Sequence, residues 1–81
     1  MEISLYLYPN GYNITMTLAE YMKRKRKIHS LTQVELAERA GVGLRFVRDL
    51  EQGKKTLRID KVNQVLALFG EALGPTKISE L

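Results

Sequence analysis

The amino-acid sequence predicts a mainly α-helical domain, a small bundle of four to five helices with short strand segments at its two ends. Three observations predict it. From Leu18 to Phe69 apolar residues recur at the three- and four-residue spacing of helices that bury one face. Glycines at Gly41, Gly53 and Gly70 each close one of these periodic runs, where helices commonly stop. The ends of the chain differ: Ile3, Leu5 and Leu7 alternate with Ser4, Tyr6 and Tyr8 near the start, and Thr76, Ile78 and the residues flanking them could form one edge strand near the end. At 81 residues the chain suits one small domain with a thin core.

The elements follow in order. Residues 1–16 read as a strand-like arm, with Pro9-Asn10-Gly11 as its turn. A strand or hairpin of this size needs something to pair with. Residues 17–70 read as the helical domain. Thr17 is a helix N-cap with Glu20 three residues on, and Leu18 and Met22 form the inner face of the helix that follows. The next helix opens with a second capping box, Thr32 and Glu35, and turns Leu36, Ala37 and Ala40 inward before Gly41. Val42 returns to the core. A third helix runs from about Leu44 to Gln52, with Val47 and Leu50 inward, and ends at Gly53. The fourth carries Ile59, Val62, Val65, Leu66 and Phe69 at helical spacing, up to Gly70. Residues 71–81 are a tail, broken by Gly74-Pro75 and able to form one edge strand in a dimer.

Composition excludes several classes. There is no cysteine, so disulfides and thiolate metal sites are out. His29 is the only histidine and reads as a helix-end surface residue, so no metal is expected. No apolar run approaches the roughly 20 residues of a membrane span, and the N-terminus lacks the positive head and apolar middle of a signal peptide. The expectation is a cytoplasmic protein without a membrane partner. There is neither a glycine-rich phosphate loop nor a supported nucleophile–base–acid set, so neither an enzyme nor a cofactor is expected. Thirteen basic residues against nine acidic ones give a formal charge of +4, compatible with a polyanionic partner. The cations gather in "KRKRK", Lys23 to Lys27, and in a second group of Arg45, Arg48, Lys54, Lys55 and Arg58.

The break at Gly41 is the informative feature. Two short helices joined there meet at a steep angle, and the small Ala37 lets the second lie close against the first. Leu44, Arg45, Arg48 and Asp49 are then left on the outward face of the third helix. This is the helix-turn-helix arrangement, whose second helix enters the DNA major groove. Gln33, Leu36, Ala37, Gly41, Val42, Val47, Leu50 and the ending "LEQGK" resemble the helix-turn-helix of the lambda-repressor-like, or XRE, family, and the similarity runs from about Thr17 to Gly70. The stretch "GLRFVRDLEQGKKTLRIDKVNQVLALFG" is similar to HipB-type antitoxins, which partner HipA-like kinases. The resemblance also implies that Arg26 pairs with Glu51 in a structural role. Three departures stand out. Leu44 and Phe46 occupy positions where many members carry a small polar residue, Ser30 stands where they carry glycine, and the usual fifth helix after Phe69 is missing. A second subunit or the terminal strands would then cover the face which that helix covers elsewhere.

The candidate DNA-binding residues are Gln33, Gly43, Leu44, Arg45, Phe46, Arg48, Lys54 and Lys55. Arginine reads guanine O6 and N7 through two parallel hydrogen bonds, and Arg45 and Arg48 share a helix face. Leu44 and Phe46 can touch thymine methyl groups, although Phe46 can equally pack against the preceding helix. Gln33 sits at a helix N-terminus, where anions are held; its alternative is a capping or supporting role. Gly43 lets the third helix approach the DNA backbone or is a plain N-cap. Lys54 and Lys55, past the end of that helix, are phosphate contacts or solvated surface. The function expected is a sequence-specific repressor. By resemblance it is the antitoxin of a HipB/HipA-like pair, which binds its kinase toxin and represses its own operon. The alternatives are a stand-alone phage-type repressor or small regulator, and a protein-interaction adaptor on the same fold. Expected partners are inverted-repeat double-stranded DNA and a second copy of the chain, joined through Leu68, Leu73, Ile78 and the Ile3-Leu5-Leu7 face.

Overall fold

The computed structural model describes residues 2–7 and 12–75. Two strands, β1 (Glu2–Leu7) and β2 (Tyr12–Thr17), precede four helices: α1 (Leu18–Ile28), α2 (Gln33–Ala40), α3 (Leu44–Glu51) and α4 (Ile59–Ala67). The strands pair with each other, antiparallel, in a register from Glu2 opposite Thr17 to Leu7 opposite Tyr12. The partner that the N-terminal strand requires is thus its neighbour in sequence. The turn at 9–11 and the edge strand expected around Thr76 and Ile78 lie outside the described residues.

Caps decide where α1 and α2 begin. The Thr17 hydroxyl accepts from the Glu20 amide. Thr32 and Glu35 form the full reciprocal box, the Thr32 hydroxyl accepting from the Glu35 amide and the Glu35 carboxylate from the Thr32 amide. The hydrogen bond from the Thr32 amide, followed by one from the Thr32 side chain, holds the Glu35 carboxyl below the usual carboxylate range. Inward residues of all four helices make one core, in which Met22, Leu36, Val47, Leu50, Val62 and Val65 are the largest fully buried side chains.

All four helices end by the same device. A residue with positive φ follows the last turn, and it and its successor donate amides back to carbonyls of that turn. After α1 these bonds are Ser30 to Lys27 and Leu31 to Arg26; after α2, Gly41 to Glu38 and Val42 to Ala37. After α3 they run from Gly53 and Lys54, and after α4 from Gly70 and Glu71. Three of the four positive-φ residues are glycine; the fourth is Ser30, at φ 55°. Its Cβ makes that conformation costly, by about 1 kcal/mol, so the glycine that the resemblance places here has a backbone reason. At Gly41, φ is 73° and a Cβ would lie 3.1 Å from Gln64 Nε2. That nitrogen donates to the carbonyls of Ala40 (2.8 Å) and Gly41 (2.9 Å), tying α4 to the end of α2.

The structure departs from the sequence reading at one core position. Ile59, expected inward, is 58% exposed. It is the first residue of α4, and periodicity aims it correctly, but no described element covers that end of the helix; it borders a cavity with Leu18 and Leu57. Leu73, expected at a subunit interface, is half-buried and packs on the chain's own core. Its amide donates to Asn63 Oδ1 at 2.7 Å. Two residues earlier, Glu71 accepts from the Tyr21 hydroxyl at 2.6 Å and pairs with Lys25 at 3.1 Å. Burial, followed by the hydrogen bond to Glu71 and the charge of that carboxylate, pushes the Tyr21 phenol up to about 12. The chain following α4 therefore covers part of the face left by the missing fifth helix. Leu68 remains 38% exposed.

Replacing Ser30 with glycine should stabilise the domain by about 0.5–1 kcal/mol, the relieved strain being partly offset by the freer unfolded chain. Replacing Gly41 with alanine should cost about 1–2 kcal/mol. Thermal unfolding followed by circular dichroism should show shifts of a few degrees, upward for the first and downward for the second. Equal shifts of one sign would contradict the backbone explanation.

Candidate nucleic-acid interface

The outer surface of α3 is built by what its inner surface buries. Val47 and Leu50 are fully buried and Glu51 is 5% exposed. A helix holding those three inward must turn Arg45 and Arg48 outward, and both are exposed. The Arg45 side chain is 88% exposed. Gln52, one residue past the helix, is exposed on the same side. Leu44 and Phe46 are not on this open face. Both are half-buried at its margins and pack on the core, and Lys61 Nζ lies 6.0 Å from the centre of the Phe46 ring. Leu44 thus departs from the outward position expected of it, because the first turn of α3 closes against the core that Val42 enters. Phe46 takes the packing alternative.

Gln33, at the first turn of α2, is half-buried. Its Nε2 donates to Glu51 Oε1 at 3.2 Å, which is the supporting role. Glu51 also receives two hydrogen bonds from Arg26, Nε at 2.6 Å and Nη2 at 2.9 Å, while Arg26 Nη1 donates to the Leu31 carbonyl at 2.8 Å. The pair implied by the resemblance is present. The hydrogen bonds it donates to the Glu51 carboxylate hold the Arg26 guanidinium above its usual range, outweighing burial, with the opposite charge adding to them. Arg26, Gln33 and Glu51 lock the end of α1, the start of α2 and the end of α3 to one another.

Gly43 is the N-cap of α3, with an ordinary φ of −73° and no side-chain cap bond. A Cβ there would meet nothing within 4 Å, so nothing inside the protein demands glycine. Lys54 and Lys55 are exposed beyond the end of α3. Among the described residues Arg48 and Lys55 form no ion pair, whereas Arg45 Nε lies 3.2 Å from Asp49 Oδ1 and Lys54 Nζ 3.6 Å from Asp49 Oδ2. The structure therefore gathers Arg45, Arg48, Lys54 and Lys55 around the exposed side and end of α3. It places Gly43 at the start of that helix, sets Leu44 and Phe46 at the margins, and turns Gln33 toward Glu51.

The run Lys23 to Lys27 is divided. Arg26 serves Glu51 and Lys25 serves Glu71; Lys23, Arg24 and Lys27 are exposed and unpaired among the described residues. His29 is exposed at the end of α1, with Nδ1 2.9 Å from the Lys25 carbonyl and its ring 4.7 Å from that of Phe69. Among the described residues no cluster of three or more histidine and carboxylate side chains is placed to hold a metal, and no helix is long and apolar enough to cross a membrane. Two features of the interface escaped the sequence reading. One is the exposed Gln52; the other is Asp49 as a partner of two cations, although its spacing of four from Arg45 was a usable signal.

The helix-turn-helix family HTH_3 matches residues 22–74, well over half of the chain, and the chain belongs to that family. Over 45 residues it is 60% identical to an uncharacterized HTH-type transcriptional regulator, y4mF, of Sinorhizobium fredii (strain NBRC 101917 / NGR234). That match covers 56% of this chain and spans 59% of the relative's length.

The clamp on Glu51 generates a prediction. Replacing Arg26 with methionine leaves a buried carboxylate without its cation and should cost about 3–5 kcal/mol, a large part of the stability of so small a domain. Replacing Glu51 with leucine in the same chain should recover much of that loss. Denaturant melts of wild type, both single variants and the double variant form the cycle; additive losses would refute the coupling.

Proposed function

We propose that this chain is a sequence-specific DNA-binding transcriptional regulator, acting in the cytoplasm as a repressor, with α3 as its reading helix. The single observation that carries the proposal is the two-sided character of α3. One side is buried through Val47, Leu50 and Glu51, and the other presents the exposed Arg45 and Arg48. Membership of the HTH_3 family and the regulator name carried by the similar Sinorhizobium protein support it. Arg45 and Arg48 are the base readers. Lys54 and Lys55, past the helix, hold phosphates. Gln33 acts through Glu51 and offers its exposed edge to the backbone, and Gly43 keeps the start of α3 clear for a phosphate strand. Leu44 and Phe46 shape the margins and meet thymine methyl groups only at their exposed edges. The similarity to HipB-type sequences supports the finer reading, that of an antitoxin which binds a HipA-like kinase toxin and represses the operon encoding both. The paired cations on α3 and the loop after it favour this over a protein-interaction adaptor.

Regulators of this kind read two half-sites with two copies. The exposed Leu68 and the outer edges of β1 and β2, which pair with no further strand among the described residues, support a homodimer. The dimer should protect an inverted repeat whose half-site centres are about one helical turn, or a multiple of it, apart. Footprinting and light scattering test this; a monomer at micromolar concentration, or one asymmetric half-site, would contradict it.

The residue roles are separable. Arg45→Ala or Arg48→Ala should cost about 1–3 kcal/mol on the cognate duplex and little on a scrambled one. Lys55→Ala should weaken both nearly equally, and should flatten the plot of log K against log salt by about one unit. Fluorescence anisotropy across a salt series distinguishes the two behaviours. If the arginine variants lose affinity equally on both duplexes, α3 is an electrostatic anchor and reads no sequence.

A further inference from the structure

We infer that Asp49 is a positioning residue that sets the specificity of the α3 surface, by fixing how Arg45 presents its guanidinium and by withholding Lys54 from non-cognate phosphates. The inference rests on the DNA-binding reading and adds to it a residue outside its contact set. Asp49 is a carboxylate in the middle of a cationic face, and its side chain is only 18% exposed. It divides its oxygens, Oδ1 3.2 Å from Arg45 Nε and Oδ2 3.6 Å from Lys54 Nζ.

The choice of nitrogen matters. The Arg45 nitrogen nearest Asp49 is Nε, on the side of the guanidinium, rather than either terminal nitrogen. The two terminal nitrogens can make the parallel pair of hydrogen bonds to guanine O6 and N7. A side chain that is 88% exposed is otherwise free to sample many rotamers, and ordering it on DNA costs affinity. The tether to Asp49 removes part of that freedom and points the terminal fork outward. Its four-residue spacing along α3 suits such a tether.

The second effect is on wrong sequences. Non-specific binding comes almost wholly from cations meeting phosphates. A carboxylate on that surface repels phosphate and competes with it for Lys54. On the cognate duplex the bonds made by Arg45 offset this penalty; on other duplexes nothing does. Specificity arises here from a repulsive element as well as an attractive one.

The test uses the full chain with two probes: the duplex that the wild type enriches from a randomised pool, and a scrambled duplex of the same composition. Asp49→Asn should weaken binding to the enriched duplex about twofold, the scale of what an exposed pair at four-residue spacing holds in place. On the scrambled duplex it should tighten binding about two- to threefold and steepen the salt slope by about one unit, as Lys54 gains a phosphate. Asp49→Glu, which keeps the charge at the same spacing, should return the ratio of the two affinities to near the wild-type value. In an Arg45→Ala background, Asp49→Asn should bring no further loss on the enriched duplex. Three results would overturn the inference: equal losses on both duplexes, an unchanged ratio, or the same loss with and without Arg45, which would make Asp49 a base reader in its own right. If the wild type enriches no duplex, the DNA-binding reading fails first and the inference falls with it.

Discussion

The pairing of Arg26 with Glu51 is the constraint on which the rest of this domain depends. Glu51 is the last residue of α3 and almost wholly enclosed. A carboxylate in that position is tolerable only if its charge is met and its lone pairs are filled. Arg26 meets it with two nitrogens and uses the third on the Leu31 carbonyl, in the link between α1 and α2. Gln33 supplies a further donor from α2. One buried charge therefore fixes three helices at once. Such pairs add little net stability compared with apolar packing of the same volume, but they penalise every arrangement that separates them. In a bundle whose core consists of a few leucines, valines, alanines and one methionine, apolar contact alone tolerates small rotations of an eight-residue helix. The ion pair does not. The direction in which α3 presents Arg45 and Arg48 follows from it.

The second support of the same geometry comes from the other side. Gln64 of α4 donates to the carbonyls of Ala40 and Gly41. Those carbonyls end α2, where no intrahelical donor exists for them. The turn between α2 and α3 is thus held by its own amides, returning to Ala37 and Glu38, and by a side chain 23 residues further along. Beyond α4, Asn63 and Tyr21 receive the descending chain at Leu73 and Glu71. The segment after α4 thus covers part of the core with one leucine and two polar anchors.

What was legible in the sequence was local. Thr32 with Glu35, Thr17 with Glu20, and the helix stops at Gly41, Gly53 and Gly70 all act within a few residues, and their chemistry is written in adjacent letters. The apolar period gave the inner faces of α2 and α3 because short helices between defined caps have little freedom of phase. Ile59 shows the limit: period assigns a face but cannot say whether anything lies over it. Leu73 shows a second, since an apolar residue in a short tail reads equally as core or as interface until the bond from its amide to Asn63 is seen. The Arg26–Glu51 pair spans 25 residues and has no local mark; only the resemblance suggested it. Gln33 was read from its place at a helix start, which attracts anions, whereas its amide is drawn inward by a carboxylate 18 residues away.

Charge shows most clearly why composition alone is a poor guide to the interface. The densest run of cations, Lys23 to Lys27, gives up two of its five members to internal carboxylates on opposite flanks of α1. The sparser set on and after α3 has an acid among its cations, yet it is the surface we propose for a nucleic acid. Unpaired arginine at one position, arginine steadied through Nε at another, and lysines beyond the helix end differ in what they ask of a ligand. In the proposed function the two arginines reward a base edge in the right place, while a lysine beyond the helix end rewards a phosphate. A uniform cationic patch would bind DNA tightly and indiscriminately. Discrimination needs groups whose reward depends on position, and on this helix the buried clamp at Glu51 provides the fixed frame against which position is measured.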